Sequence, residues 1–212
     1  MSGVSAVLLA AGAGSRFGGG KLLASMRGRP LIEVTLSGLR GAPVDEIMVV
    51  VGKDAKELRS VCEPYGARVI ENPDWARGMS TSVRAGLLAC APLAQAAVVA
   101  LADQPLVGAE AVARLVEAFE DGAKVAVATY GGERRNPVLF DREVWPLLLR
   151  GLSGDKGARV VLERHPELVT EVPCDDVADP TDVDTVEDLR RLEEEVSIAP
   201  LGGSRLGEGG TL

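Results

Sequence analysis

Histidine and cysteine, which many enzymes use for nucleophilic and metal catalysis, are scarce in this chain of 212 residues. His165 is the one histidine, and the three cysteines, Cys62, Cys90 and Cys174, are far apart and form no C-x-x-C pair. A histidine-rich metal site is therefore excluded, and a Ser–His catalytic triad is disfavoured. The odd number and wide spacing of the cysteines indicate reduced, packing thiols of a cytoplasmic protein rather than disulfides or a zinc site.

Aromatic residues and net positive charge are also lacking. Aromatics make up 3% of the chain, so the core must consist mainly of Val, Leu and Ala. The net charge of −8 and the pI of about 4.8 argue against a nucleic acid or a membrane as partner. We therefore expect a small-molecule substrate, and an anionic one must be bound by local basic groups.

Two apolar segments resemble targeting or membrane sequences but lack their features. Residues 1–14 have no Lys or Arg ahead of the apolar stretch, as a signal peptide requires. The charge-free run 86–102 is interrupted by Pro92 and Gln95, which favours a helix end followed by a buried strand over a membrane span.

Strand-like and helix-like segments alternate through the first part of the chain. The strand-like runs are 5–9, 46–51, 68–70, 97–101 and 124–129, and the helix-like segments are 31–39, 55–62, 80–91 and 109–120. This alternation, with nearly continuous apolar strands, predicts an α/β fold with a doubly wound, mostly parallel sheet in three layers. We expect one domain over residues 1–196 and a disordered Gly-rich tail over 197–212.

The second half of the chain is less regular. Its pattern predicts strands at 136–140 and 169–172, and helices at 142–150, 156–164 and 186–195. Thr185, followed three residues later by Asp188, predicts a capping box at the start of the last helix.

The most informative segment is the glycine-rich loop after the first predicted strand, which contains Gly12, Gly14, Arg16 and Lys21. Glycines let backbone N–H groups approach a ligand closely and allow a positive φ. Successive amides in such a loop form an anion-binding concavity, and the two basic side chains add full charges. A polyphosphate is the ligand that needs this combination.

The spacing in this loop distinguishes it from two common phosphate-binding motifs. G-x-G-x-x-x-G is one residue longer than the dinucleotide fingerprint, and Lys21 is followed by Leu22 rather than by the Ser or Thr of a P-loop. A flexible connector is the alternative, but linkers seldom carry lone basic residues directly after a strand.

Three carboxylates are candidates for a magnesium site. Asp103 follows a predicted buried strand, and Asp182 and Asp184 are two residues apart, so both face the same side in an extended chain. Mg²⁺ prefers carboxylates together with substrate phosphate oxygens. The alternative for Asp103 is a cap on the helix that starts near Gly108.

A second loop-to-helix junction lies at residues 71–82. Asn72 and Ser80 are candidates for reading the edge of a base, and the helix start offers free N–H groups. The equally supported alternative is an ordinary Ser N-cap, with Trp75 anchoring the loop.

Taken together, these segments resemble the MobA-like nucleotidyltransferases, and in particular their molybdenum cofactor cytidylyltransferase branch. The resemblance covers about residues 4–195. The matching stretches are Leu9-Ala10-Ala11-Gly12 with Ser15-Arg16, Gly18 and Lys21-Leu22-Leu23, Asn72-Pro73-Asp74-Trp75-Ala76 with Gly78-Met79-Ser80, Leu101-Ala102-Asp103-Gln104-Pro105, Arg134 with Asn136-Pro137-Val138-Leu139-Phe140, Gly154-Asp155 with Gly157-Ala158-Arg159, and Asp182-Val183-Asp184-Thr185 with Glu187-Asp188-Leu189.

The resemblance implies a Rossmann-like nucleotidyltransferase that uses an NTP and Mg²⁺ and releases pyrophosphate. Arg16, Lys21 and Asp103 are then the expected catalytic residues, and Asp103, Asp184 and Asp182 the expected metal ligands. The expected nucleotide-binding residues are Ala10, Ala11, Gly12, Gly14, Ser15, Arg16, Lys21, Asn72, Gly78, Met79, Ser80 and Asp103.

The resemblance also suggests the two substrates. Leu-Ala-Ala-Gly goes with cytidine in this family, so Ala11 favours CTP, and the acceptor is the phosphate of molybdopterin, with a molybdoenzyme or its chaperone as recipient of the product. The expected acceptor-binding residues are Arg134, Arg135, Asn136, Asp155 and Arg159. Where the family commonly has Arg-Gly-Asn-Pro, this chain has Arg135 in place of the glycine, which leaves the acceptor open.

Three alternatives remain at this stage. The first keeps the chemistry and changes the nucleotide or the acceptor, as in guanylyl transfer. The second is an NAD(P)H- or flavin-dependent oxidoreductase, against which stand the loop spacing and Val51-Gly52-Lys53, where a ribose-binding carboxylate is expected. The third is a non-catalytic nucleotide-binding protein.

Overall fold

The computed structural model describes residues 3–156 and 158–198. Its strands are β1 Val4–Ala10, β2 Ser25–Met26, β3 Arg29–Pro30, β4 Glu46–Val51, β5 Arg68–Glu71, β6 Ala96–Leu101, β7 Val125–Tyr130, β8 Glu133–Asp141 and β9 Val169–Pro173. Its α-helices are α1 Leu31–Gly38, α2 Ala55–Cys62, α3 Met79–Ala89, α4 Ala109–Glu120, α5 Trp145–Gly151, α6 Arg159–Arg164 and α7 Val186–Ile198.

Seven of the strands form one sheet in the order β5-β4-β1-β6-β8-β7-β9. β8 is antiparallel to its neighbours β6 and β7, and the remaining neighbours in this sheet are parallel. The predicted doubly wound, mostly parallel sheet is therefore confirmed. β1 lies near the centre and is buried along its whole length, as its continuous apolar run predicts.

Alternate residues of the strands pack on opposite faces of the sheet, which gives three layers. Leu8 and Val49 face the side covered by α1, α2 and α4, whereas Val7 and Val50 face the side covered by α3, α5 and α6. One glycine sets the distance of α3 from the sheet: a Cβ on Gly86 would lie 2.2 Å from Cγ1 of Val7. The helix therefore packs directly on β1, which fixes where its first turn lies.

The structure departs from the predictions mainly in the second half. β8 begins at Glu133 rather than at residue 136, because Gly131 and Gly132 (φ 58° and 81°) close a tight hairpin with β7. The predicted helices at 142–150 and 156–164 each begin as a 3-10 turn, followed by the shorter α5 and α6. α7 extends to Ile198, and the rest of the predicted tail, 199–212, lies outside the described residues.

The predicted capping box at the start of α7 is confirmed. Thr185 and Asp188 form the capping box, since the Asp188 N–H donates to Thr185 Oγ1 (3.1 Å) and the Thr185 N–H donates to Asp188 Oδ2 (2.9 Å). All three cysteines are free thiols, two buried and Cys90 half-buried. Within the described ranges, no helix has the length and apolarity needed to cross a membrane.

Candidate active site

The glycine-rich loop, Asp103 and Asp184 meet at the carboxyl-terminal edge of the sheet. The loop follows β1 and Asp103 follows β6, and because these strands are parallel neighbours their ends lie side by side. The Val183 N–H donates to the backbone oxygen of Asp103 at 2.9 Å, which fastens the segment before α7 to the end of β6. Three segments distant in sequence are thus held together by backbone geometry.

Two 3-10 turns give the loop its shape. They span Ser15–Phe17 and Lys21–Leu23, and each is preceded by a glycine in the left-handed region, Gly14 (φ 58°) and Gly20 (φ 64°). A Cβ on Gly14 would lie 3.3 Å from Cβ of Lys21. Gly14 therefore also leaves room for the Lys21 side chain, which the second turn directs back toward β6.

The charged side chains of the site form one network. Lys21 Nζ lies 2.6 Å from Asp103 Oδ2 and 3.4 Å from Asp184 Oδ1. Arg16 Nη1 lies 2.9 Å from the other oxygen of Asp184. Lys21 is only 11% exposed, whereas Arg16 is 72% exposed. The two basic residues and two of the acidic residues singled out in the sequence therefore neutralise one another.

Asp103 and Asp184 fit a divalent cation, because they already share one positive group, Lys21 Nζ. Asp182 lies near this network, since burial, reinforced by the charge of Asp103, raises its pKa, and its Oδ1 accepts a hydrogen bond from Gln104 Nε2 at 3.0 Å. Its role as a metal ligand stays a prediction. Within the described ranges, no cluster of three or more Asp, Glu, His or Cys is arranged to hold a metal. A metal here needs further oxygen ligands, which substrate phosphates provide.

A cavity of about 330 Å³ opens beside this network. The loop residues Ala11 and Gly12 form one wall, and Trp75, Gly78 and Met79 form the other. Trp75 packs directly on Gly52, where a Cβ would lie 2.6 Å from its ring. Ala10 ends β1 and is buried, so it can contribute backbone only, whereas Ser15 and Arg16 are exposed on the loop.

The second loop is built around Asn72, which is buried. Its Nδ2 donates to Thr81 Oγ1 (2.9 Å) and to Ser82 Oγ (3.0 Å), and its Oδ1 accepts from the Asp74 N–H. Asn72 therefore organises this loop, and direct base contact by Asn72 or by the buried Ser80 stays a prediction. Gly78, not Ser80, is the N-cap residue of α3.

Ser82 is a residue that the sequence analysis missed. It lines the 330 Å³ cavity, and because its oxygen accepts from Asn72, its hydroxyl hydrogen is free to point at a ligand. Ser82 is the fourth residue of α3 and belongs to no recognisable sequence motif. Its contact with Asn72, which depends on the folded structure, is what distinguishes it from other helical serines.

A larger cleft of about 680 Å³ lies next to this cavity, and the two share Met79 and Leu101 in their walls. Its floor is the apolar face of the sheet, including Val127 and Val138. The predicted acceptor-binding residues Arg134, Arg135, Asn136 and Arg159 all line it. The structure thus places two ligand-sized spaces side by side at one edge.

Among these residues, Arg134 and Arg159 have acidic partners. Arg134 Nε lies 2.8 Å from Glu171 Oε1, and Arg159 Nε lies 3.0 Å from Glu163 Oε1. The β7–β8 pairing shifts register between Val127 and Ala128, so Asn136 lies in a bulge at the cleft. Asp155 lies in the wall of the smaller cavity, against Gly78, and its role in acceptor binding stays a prediction.

Comparison with protein families identifies this arrangement. The model of the MobA-like NTP transferase domain matches residues 6–169, more than half of the chain. Nicotine blue oxidoreductase of Paenarthrobacter nicotinovorans is 38% identical over 199 residues, which cover 89% of this chain and 96% of that protein. A probable molybdenum cofactor guanylyltransferase of Thermococcus gammatolerans is 36% identical over 120 residues, 56% of this chain and 58% of that protein.

Solved structures agree with the fold. An Rv0371c homologue from Mycobacterium sp. strain JC1 superposes with a TM-score of 0.82 at 34% identity, over 93% of this chain and 98% of that one. Rv0371c of Mycobacterium tuberculosis H37Rv, solved in complex with manganese, gives 0.76 at 32% identity over 91% and 99%. A nucleotidyl transferase from Methanothermobacter gives 0.77 at 23% identity over 92% and 98%, which supports the fold alone.

Proposed function

The chain belongs to the MobA-like NTP transferase family and is a nucleotidyltransferase, and we propose that it transfers CMP from CTP to the phosphate of molybdopterin, with Mg²⁺, and releases pyrophosphate. The observation that carries this proposal is the network of Lys21, Asp103 and Asp184 at the mouth of the smaller cavity. A cytoplasmic location and a molybdoenzyme or its chaperone as recipient of the product belong to the same proposal.

The glycine-rich loop and its two cations suit the triphosphate. Gly12 and Gly14 offer backbone amides without side chains in the way, and Arg16 and Lys21 lie on the two sides of Asp184. These donors neutralise the charge that develops on the pyrophosphate as it leaves. Asp103 and Asp184 are the proposed ligands of Mg²⁺, which when bound withdraws charge from the phosphate oxygens. Manganese in the related Rv0371c structure supports a divalent ion in this family.

Cytidine is the proposed base for two reasons. Ala11 lines the cavity in the Leu-Ala-Ala-Gly sequence that goes with cytidine in this family. Ser82 provides a hydroxyl donor, and the cytosine edge presents acceptors at O2 and N3. Trp75 and Met79 supply apolar surface for the flat face of the base.

The larger cleft is the proposed acceptor site. Its apolar floor and the arginines Arg134 and Arg135 match an acceptor with a flat body and an anionic group. A phosphate monoester with a second pKa of about 6 is mostly dianionic at neutral pH, so it attacks the α-phosphorus without a general base. This agrees with a site that contains no histidine, and leaves the chain the task of aligning the two substrates in adjoining cavities.

The proposal is tested by measuring how tightly the protein binds each of four NTPs and how fast it releases pyrophosphate from each. Calorimetry with CTP, GTP, ATP and UTP in the presence and absence of Mg²⁺ is expected to give the tightest binding for CTP with metal. Pyrophosphate release is then measured with each NTP, with and without molybdopterin, and is expected to require both CTP and the acceptor. Release with GTP alone among the four refutes the cytidine assignment, and no release with any NTP in the presence of molybdopterin refutes the proposed transfer to that acceptor.

A second function is favoured by one observation, the 38% identity to nicotine blue oxidoreductase over almost the whole of both chains. The half-apolar cleft is large enough for a flat dye, so reduction of a quinoid compound by NAD(P)H is the competing proposal. Against it, β4 ends in Val51 and is followed by Gly52 under Trp75, so the strand itself does not end in the carboxylate that a dinucleotide-binding fold uses for the ribose. Oxidation of NADH or NADPH by quinoid dyes, followed at its absorption band, distinguishes the two.

A further inference from the structure

Lys21 contacts both carboxylates that would hold the proposed metal. Its Nζ is 2.6 Å from Asp103 Oδ2 and 3.4 Å from Asp184 Oδ1, so one ammonium group bridges the two carboxylates. A divalent ion would draw on the same two side chains. Lysine and metal therefore compete for the same partners.

The burial of this bridge makes the competition strong. Lys21 is 11% exposed and Asp103 24% exposed, so solvent and salt screen their attraction less than at the surface. A metal that takes Asp103 leaves the Lys21 ammonium largely buried without a partner, which is unfavourable. Arg16 also contacts Asp184, but it is 72% exposed and its pair is easily exchanged with water.

A polyphosphate removes this penalty, because its oxygens give Lys21 a new anionic partner. We infer that Lys21 is a charge substitute for the metal, which keeps the divalent ion from binding tightly until the triphosphate draws the ammonium away from Asp103. The ion and the nucleotide then bind cooperatively, and by linkage each raises the affinity for the other. The triphosphate part of this inference rests on the proposed function.

Binding of Mn²⁺ without nucleotide tests the inference directly, followed by the electron paramagnetic resonance signal of the free ion. Wild-type protein is expected to bind Mn²⁺ weakly, and Lys21→Ala to bind it at least tenfold more tightly. Lys21→Met, which preserves more of the side-chain volume, should show the same gain and guards against a folding defect of the alanine variant. Circular dichroism melts confirm that each variant is folded.

Three controls separate charge from other causes. Lys21→Arg keeps the positive charge and is expected to show no gain. The double variant Lys21→Ala with Asp103→Asn removes a metal ligand and should lose the gain. Lys124→Ala removes a lysine that bridges two other carboxylates at the opposite edge of the sheet, and should leave binding at the site unchanged.

The outcomes are distinguishable from those of the functional test, because the titration contains no nucleotide. Unchanged Mn²⁺ affinity in both Lys21→Ala and Lys21→Met, or an equal gain in Lys21→Arg, overturns the inference even if the enzyme releases pyrophosphate. A gain retained in the double variant also overturns it. Absence of pyrophosphate release with every NTP overturns the proposed function and leaves the competition between Lys21 and Mn²⁺ in place.

Discussion

The two edges of the sheet carry the same charged arrangement. At the carboxyl-terminal edge, Lys21 bridges Asp103 and Asp184. At the amino-terminal edge, Lys124 precedes β7 and its Nζ lies 2.8 Å from Asp141 and 2.6 Å from Glu143. Each lysine thus holds two carboxylates together, and by distance alone the second bridge is the better formed.

The surroundings of the two bridges differ. Lys124 is 41% exposed, and the hydrogen bonds that its ammonium donates to Asp141 and then to Glu143 raise its pKa, as expected of a surface ion pair. Lys21 is 11% exposed, belongs to the glycine-rich loop and is paired with Asp103, which lines the 330 Å³ cavity. An ion-pair bridge therefore indicates a functional site only where backbone donors and space for a ligand accompany it.

Replacement of each bridging lysine by alanine is the test of this comparison with the largest expected effect. Lys21→Ala and Asp103→Ala should each lower pyrophosphate release about 10²–10³-fold, because a preorganised charge at a reacting phosphate contributes roughly 3–4 kcal/mol. Lys124→Ala should change the rate less than about twofold, since it lies at the far edge. Steady-state rates with CTP and acceptor give the comparison. A loss as large for Lys124→Ala as for Lys21→Ala would remove the distinction between the two edges.

A pair of glycines provides the next test. Gly78 (φ 112°) is packed so closely that a Cβ would lie 2.6 Å from the backbone of Gly154, whereas Gly66 (φ 67°), just before β5, has nothing within 4 Å. Gly66→Ala should therefore cost about 1 kcal/mol from the left-handed backbone alone. Gly78→Ala should cost about 2–3 kcal/mol and raise KM for the nucleotide, because the cavity wall has to shift. Urea unfolding gives both free energies, and equal costs would show that the contact with Gly154 is unimportant.

Much of the fold could be predicted from the sequence, because buried strands and helices differ in how their apolar residues are spaced along the chain. The apolar runs that became β1, β4 and β6 lie within a residue or two of their predicted limits, since a parallel strand buried on both faces needs an unbroken apolar run. The antiparallel β8 was placed too late, because Glu133 to Arg135 are exposed and their pairing depends on the Gly131–Gly132 turn.

The site was predictable only where its residues follow a strand end or a glycine-rich loop. That rule found Lys21 and Asp103, and topology then brought them within 2.6 Å. It could not show that Lys21 is already paired with the carboxylates, nor that Ser82 faces the cavity, because both facts depend on contacts between distant segments. The hydrogen bond from Gln104 to Asp182 could not be predicted from spacing either, and a metal shared by Asp182 and Asp184 stays a prediction.

Two buried serines, one at each edge of the sheet, allow the same comparison with smaller expected effects. Ser82 lines the 330 Å³ cavity, whereas Ser5 donates to Glu46 at 2.7 Å near the amino-terminal edge. Ser82→Ala should raise KM for CTP about fivefold, the equivalent of one hydrogen bond of roughly 1 kcal/mol, and should also lower the free energy of unfolding by about 1 kcal/mol, because Asn72 loses an acceptor. Ser5→Ala should lower the free energy of unfolding by about 1 kcal/mol and leave KM unchanged. An unchanged KM in Ser82→Ala would show that this hydroxyl does not contact the base.

Glu46 gives the smallest effect and shows how the amino-terminal edge responds to pH. Burial opposes its ionisation, but hydrogen bonds from Ser5 Oγ, the Ala91 N–H and Arg68 outweigh burial and hold its pKa below the ordinary value of 4.5. Because the folded state favours the ionised form of Glu46, this stabilisation is complete above the ordinary pKa and is lost as pH falls through the lowered pKa.

Glu46→Gln should therefore lower the free energy of unfolding by about 0.5–1 kcal/mol near neutral pH and by nothing measurable in acid below the lowered pKa. Urea unfolding of both proteins across this range measures the difference, and a cost that does not vary with pH would attribute it to packing rather than to charge. Pyrophosphate release should stay unchanged in this variant, since Glu46 begins β4 and so lies at the edge of the sheet opposite the candidate active site.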